Sequence, residues 1–157
     1  MPTTIRQGDP APEFDLEDDH GERIRLDALR GKWVVLYWYP KDDTPGCTTE
    51  ACEIRDNWSL ISGDAALFGI SPDSVTSHQK FRDKFSLPFP LLADPDHRVS
   101  EAYGVWGPKT FAGHEYFGVD RATFIIDPQG KVARVFPKVS PAGHALEIMQ
   151  ALKELKG

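Results

Sequence analysis

The sequence predicts an α/β fold, with a central mixed β-sheet flanked by helices and an N-terminal β-hairpin. Three observations carry this. Residues 33–39, Trp-Val-Val-Leu-Tyr-Trp-Tyr, form a short uninterrupted apolar run, as expected of a strand buried on both faces of a sheet. Segments of helical period alternate with further apolar runs behind it, the order that builds parallel strands with crossover helices. Alternating segments around strong turn signals stand at both ends of the chain, and they add antiparallel strands.

The elements follow in order. Phe14-Asp15-Leu16 and Arg23-Ile24-Arg25-Leu26 alternate in polarity around Asp18-Asp19-His20-Gly21, which predicts a hairpin. Glu17-Asp18-Asp19 reads as a solvated turn. After the strand at 33–39, Pro40 to Gly46 cannot continue it and makes a loop. A helix follows, because Thr44 suits the N-cap and Pro45 the first helical position. Cys47, Ala51, Ile54, Trp58 and Ile61 recur on one face of it. Residues 65–71 predict a second buried strand. Asp73 or Ser74 then caps a helix to about Phe85, with Val75, His78, Phe81 and Phe85 on or near one face. Pro88 and Pro90 precede a short strand at 91–93, and 98–103 predicts a short helix.

Residues 104–118, rich in glycine and aromatics, read as irregular. A strand at 122–126 turns at Asp127-Pro128-Gln129-Gly130 into a partner at 131–136. Ala145, Leu146, Ile148, Met149, Leu152 and Leu155 mark an amphipathic C-terminal helix. A small α/β sandwich of thioredoxin type satisfies this order. With 157 residues, no repeat and no linker, the chain reads as one domain over 1–157.

Composition narrows the function. Eighteen Lys and Arg against 24 Asp and Glu leave a net charge of −6, which argues against nucleic acid, since phosphate binding needs a basic footprint. The longest apolar run falls far short of the ~20 residues of a membrane helix, so no membrane is expected. The start has no apolar signal core, which predicts a cytoplasmic protein. The four Trp read as packing residues and the five His as scattered surface residues. Two cysteines, Cys47 and Cys52, exclude a disulfide framework. No His lies at ligand spacing from them, so neither metal nor cofactor is called for.

Cys47 lies just past the carboxyl end of a central strand and at a helix start, where sites in open α/β sheets form. As the third helical residue it sits in the positive field of the helix N-terminus, which favours the thiolate. Pro45-Gly46 leaves no bulk beside it. The plainer alternative is a small buried hydrophobe on a helix face. Cys52, five residues on, is rotated by about 140° with its Cα roughly 8.6 Å away on an α-helix. A disulfide needs Cα atoms closer than about 7 Å. Either the thiols are unrelated, or a disulfide forms only after local unwinding. There is no C-x-x-C.

The string Tyr39-Pro40-Lys41-Asp42-Asp43-Thr44-Pro45-Gly46-Cys47-Thr48-Thr49-Glu50-Ala51-Cys52 closely resembles the active-site segment of peroxiredoxins. The family pattern falls on Pro40, Thr44 and Cys47. The Pro-Gly-Cys-Thr form, with a second Cys five residues on, is similar to the bacterioferritin comigratory protein (PrxQ) subfamily, as are residues 104–109 and 118–127. Trp38, Pro108 and Ala122 depart from the common residues, in packing and loop shape.

The resemblance implies a thiol peroxidase acting on hydrogen peroxide and organic hydroperoxides, with Cys47 peroxidatic and Cys52 resolving through a Cys47–Cys52 disulfide. It implies thioredoxin or a similar dithiol protein as reductant, a monomer or weak dimer, and roles for Pro40, Thr44 and Arg121. Charge building on the peroxide oxygens needs preorganised donors, which Arg121, the Thr44 hydroxyl and the N–H groups of Gly46 and Cys47 could supply. Pro40 would shape the loop and shield the sulfur from water. Glu50 reads as a first-turn acid favouring the helix dipole, with hydrogen bonding in the site as a second reading. Two other functions fit the same thiols, a general thiol–disulfide oxidoreductase and a non-catalytic redox sensor or chaperone.

Overall fold

The uninterrupted run at the centre of the sequence forms strand β3 (Val34–Trp38), buried along its whole length. Its neighbours are β4 (Ala66–Ser71), parallel, and β8 (Ala122–Ile126), antiparallel. This computed structural model describes residues 3–157. Beyond β4 lie β5 (Leu91–Ala93), parallel to it, and then the antiparallel N-terminal hairpin of β1 (Asp15–Asp18) and β2 (Arg23–Arg25). On the other side β9 (Val132–Phe136) pairs with β8. The resulting order is β2-β1-β5-β4-β3-β8-β9. It is the mixed sheet of a thioredoxin-like fold, as the order of elements predicts.

Because side chains alternate across a strand, β3 divides the core. Val35, Tyr37 and Tyr39 face α1 (Pro45–Asp56), α3 (Val75–Phe85) and α5 (His144–Lys156). Val34, Leu36 and Trp38 face the opposite core, which includes Phe14, Leu26, Tyr103 and Phe124. Helix α4 (Arg98–Ala102) covers that side, and its Ser100 accepts from the Trp38 indole at 3.0 Å. Among the described residues no helix is long and apolar enough to cross a membrane.

Four expectations need correction. Residues 104–118 are not irregular: they contain most of a two-stranded hairpin, β6 (Trp106–Phe111) with β7 (His114–Val119). Ala112 and Gly113 both take positive φ at its turn, a conformation that Asn-Gly would have signalled and Ala hides. The helix expected to reach Ile61 ends at Asp56. Asn57 caps it with its side-chain amide on Glu53 O, and a separate turn, α2 (Trp58–Ile61), follows.

Glu17-Asp18-Asp19 is not wholly solvated. Asp18 and Asp19 are buried. Asp18 accepts from the N–H groups of His20 and Glu22, while Asp19 takes two bonds from Arg82 and one from Leu91 N–H. The histidines are not all at the surface either, since His78 and His144 are fully buried. Each finds polar partners for both ring nitrogens, which is what makes a buried imidazole tolerable.

Candidate active site

The carboxyl end of β3 and the start of β8 meet, because Trp38 pairs with Ala122 in an antiparallel register. That register sets Arg121, the residue before β8, beside the loop that leaves β3. Asp120 N–H donates to Val105 O at 2.7 Å, Lys109 pairs with Asp120, and Val139 N–H donates to Arg121 O at 3.1 Å. The β6–β7 hairpin therefore holds the base of the arginine.

Helix α1 starts where the sequence places it, with Thr44 extended at the N-cap and Pro45 in the first turn. The intrahelical ladder opens with Thr48 N–H to Thr44 O at 2.8 Å. The N–H groups of Gly46 and Cys47 precede it, as donors that a helix start leaves over. The Thr44 side chain does not cap the helix. Its hydroxyl donates to Lys41 O at 2.9 Å, so its one proton is taken and its lone pairs remain free to accept.

Cys47 is 1% exposed and packs into the helix-side core. The Arg121 Nη2 lies 3.2 Å from its Sγ, and Nη1 donates to Glu50 Oε1 at 3.2 Å. Gly46 is needed for the approach of this guanidinium: a Cβ there would stand 2.8 Å from Arg121 Nη2. Glu50 is also 1% exposed. Burial raises its carboxyl to about 7, against the pull of Arg121. Its Oε2 and the Tyr37 hydroxyl are buried without a partner among the described residues, and burial, with Glu50 and Cys47 nearby, holds the Tyr37 phenol well above its ordinary value.

The structure thus brings Cys47, Arg121, Glu50 and Gly46 together. Pro40, exposed, and Thr44 stand on the loop leading to them. Cys52 is half-buried on the same helix, and both thiols are free. Glu50 is not a first-turn acid, because α1 begins at Pro45 and Glu50 falls in its second turn, where it accepts from Arg121. Asp42, Tyr39 and His78, which sequence reasoning left without a role, lie under the loop. The Tyr39 hydroxyl donates to Asp42 Oδ1 at 2.6 Å, and His78 Nδ1 meets Asp42 Oδ2 at 2.7 Å. The signal for His78 was present, because it shares its helical face with Val75 and Phe81.

Chemically, the arrangement sets a guanidinium against a buried thiol at a helix start whose first N–H groups have no intrahelical acceptor. Such donors stabilise an oxyanion as a bond to oxygen breaks. A peroxide approaching the sulfur would meet them.

Comparison with known proteins gives the same picture. Residues 7–135 match the AhpC/TSA family. Peroxiredoxin Bcp of Bacillus subtilis is 47% identical over 153 residues, covering 97% of this chain and 98% of that protein. A putative peroxiredoxin bcp of Coxiella burnetii is 50% identical, covering 95% and 99%. Among solved structures, the Xanthomonas campestris bacterioferritin comigratory protein, studied for alkyl peroxide reduction, superposes with a TM-score of 0.89 at 35% identity, covering 99% of each chain.

Proposed function

This chain belongs to the AhpC/TSA family and is a thiol peroxidase, and on that premise we propose that Cys47 attacks the peroxide and Cys52 resolves the product. The observation that carries the assignment is the Arg121 guanidinium 3.2 Å from Cys47 Sγ at the start of α1.

The thiolate of Cys47 attacks one peroxide oxygen, and the O–O bond breaks. Sulfur is oxidised to sulfenic acid, and the other oxygen leaves as hydroxide or alkoxide and takes up a proton. Arg121 and the N–H groups of Gly46 and Cys47 hold the developing charge. Thr44, its proton committed to Lys41 O, accepts a hydrogen bond from the peroxide and orients it. Glu50 aims the arginine. Pro40 screens the sulfur from water, and its ring leaves no N–H to compete.

Cys52 then condenses with the sulfenic acid, releasing water and leaving a Cys47–Cys52 disulfide. Five residues of intact helix hold the Cα atoms roughly 8.6 Å apart, beyond the reach of a disulfide. The first turns of α1 must therefore unwind. A dithiol protein of the thioredoxin kind reduces the disulfide by exchange. Such a cycle needs a reducing supply, which favours the cytoplasm. The 157 residues act as one catalytic unit, as a monomer or a weak dimer. Organic hydroperoxides are accepted along with hydrogen peroxide, a reading supported by the alkyl peroxide reduction activity of the Xanthomonas relative.

Peroxide consumption coupled to thioredoxin and its reductase tests the cycle. Wild type turns over continuously, whereas Cys52→Ser performs one oxidation and stops. Sustained turnover of Cys52→Ser on thioredoxin alone would remove Cys52 from the mechanism.

A further inference from the structure

Where the catalytic loop leaves the sheet, it is tied down by a buried polar cluster that the chemistry at Cys47 does not use. The Asp42 carboxylate accepts from the Tyr39 hydroxyl at 2.6 Å and from Ser77 Oγ at 2.8 Å, and it lies 2.7 Å from His78 Nδ1. The backbone N–H of Asp42 donates to Asp73 Oδ2 at 2.8 Å. His78 Nε2 faces Leu92 O at 2.9 Å. Both ring nitrogens thus face oxygens, one a carboxylate and one a carbonyl. The His78 and Asp42 side chains are 0% and 4% exposed.

A buried polar pair of this kind is weak evidence for stability, because well-packed apolar residues of the same volume often serve as well. Its position suggests a different use. Asp42 lies between Pro40 and Thr44, and four elements converge on it: β3 through Tyr39, α3 through Ser77 and His78, the loop after β4 through Asp73, and β5 through Leu92 beyond the ring. The hydrogen bonds are directional, so they fix the loop in one register where apolar packing would let it slide.

We propose that Asp42 and His78 are positioning residues for the peroxide step: through this buried pair they hold the catalytic loop, and hence Thr44 and Gly46, in the register that receives peroxide. This rests on the reading of Cys47 as the attacking sulfur and, for its second consequence, on Cys52 as the resolving thiol. The second consequence is a trade. A loosened loop should oxidise more slowly and form the Cys47–Cys52 disulfide faster, because the folded arrangement of α1 that opposes the disulfide is held less firmly.

Stopped-flow Trp fluorescence measures both steps. Oxidation of Cys47 is followed in a Cys52→Ser background, and disulfide formation is followed in the parent chain. His78→Leu should lower the oxidation rate roughly 10- to 100-fold, the cost of an ångström-scale misplacement, and raise the disulfide rate on the order of tenfold. Tyr39→Phe removes one hydroxyl and leaves the Asp42–His78 contact. It should shift both rates in the same opposite senses by less, and it carries the test if His78→Leu does not fold. A fall in both rates together, or unchanged rates with a lower thermal midpoint, would reduce the cluster to a plain structural support and overturn the inference. Failure of the Cys52 reading is separable: it would show in wild type as the absence of a Cys47–Cys52 disulfide, while the oxidation rates in the Cys52→Ser background still decide the positioning role.

Discussion

The two halves of helix α1 are held in different ways. The front half carries Cys47 and Glu50, and among the described residues its side-chain hydrogen bonds to other parts of the chain all come from one guanidinium, Arg121. The back half is fastened from several directions. Arg55 Nη1 donates to Phe85 O at 2.7 Å, and Glu53 Oε1 accepts from Gly143 N–H at 2.8 Å. Regions that open locally are those with few such anchors. This division suits the proposed cycle, in which the front part unwinds between two chemical steps while the back part anchors it, with Cys52 near the boundary.

Substitutions in the two halves should separate chemistry from stability. The largest effect belongs to Cys47→Ser, which should abolish peroxide consumption in the thioredoxin-coupled assay while leaving the far-UV circular dichroism unchanged. Next, Arg121→Ala should slow Cys47 oxidation by about 10²–10³-fold, as loss of one preorganised oxyanion donor does elsewhere. Stopped-flow rates within a few-fold of wild type would contradict the donor role.

A third prediction concerns the acid under the front half. Burial raises Glu50 from 4.5 in the unfolded chain to about 7, so the folded state binds this proton more tightly. The stability it contributes is fully present below the unfolded value and is lost as pH rises through about 7. Urea unfolding of wild type should therefore lose on the order of 3 kcal/mol relative to Glu50→Gln between about pH 4.5 and pH 8. Parallel curves for the two proteins would contradict the assigned shift. The smallest effect belongs to the anchored half. Arg55→Ala should cost about 1 kcal/mol of stability, because the bond is charge-assisted but the side chain is one-third exposed. The oxidation rate should stay at the wild-type value.

The same contrast explains what could be read in the sequence. The strands at 33–39, 65–71 and 122–126 were legible because burial on both faces demands continuous apolar runs. The start of α1 was legible because Thr44-Pro45 is local chemistry. The β6–β7 hairpin was not. Phe111, Tyr116 and Phe117 remain exposed, so no hydrophobic alternation marks the strands, and the turn uses Ala112 where Asn would have been informative. The pairing of Cys47 with Arg121 spans 74 positions, and spacing alone carries no such contact; it entered through the resemblance of the motif. Glu50 looked like a first-turn acid because it follows Thr44-Pro45 closely, but the helix start at Pro45 puts it in the second turn. Its burial under Arg121 depends on the register of β3 against β8. His78 was misjudged by counting histidines instead of weighing the apolar face on which it falls.

The account turns on one sulfur taking oxygen and the other releasing it within the same helix. Reduced protein given one equivalent of peroxide, then blocked, digested with trypsin and weighed, tests this directly. Cleavage after Lys41 and Arg55 leaves both cysteines in a single peptide. The account predicts that peptide unlabelled and lighter by two hydrogen atoms, with Cys47 joined to Cys52. A peptide with Cys47 carrying added oxygen and Cys52 still open to the blocking reagent, or one linked to a second chain, would contradict it.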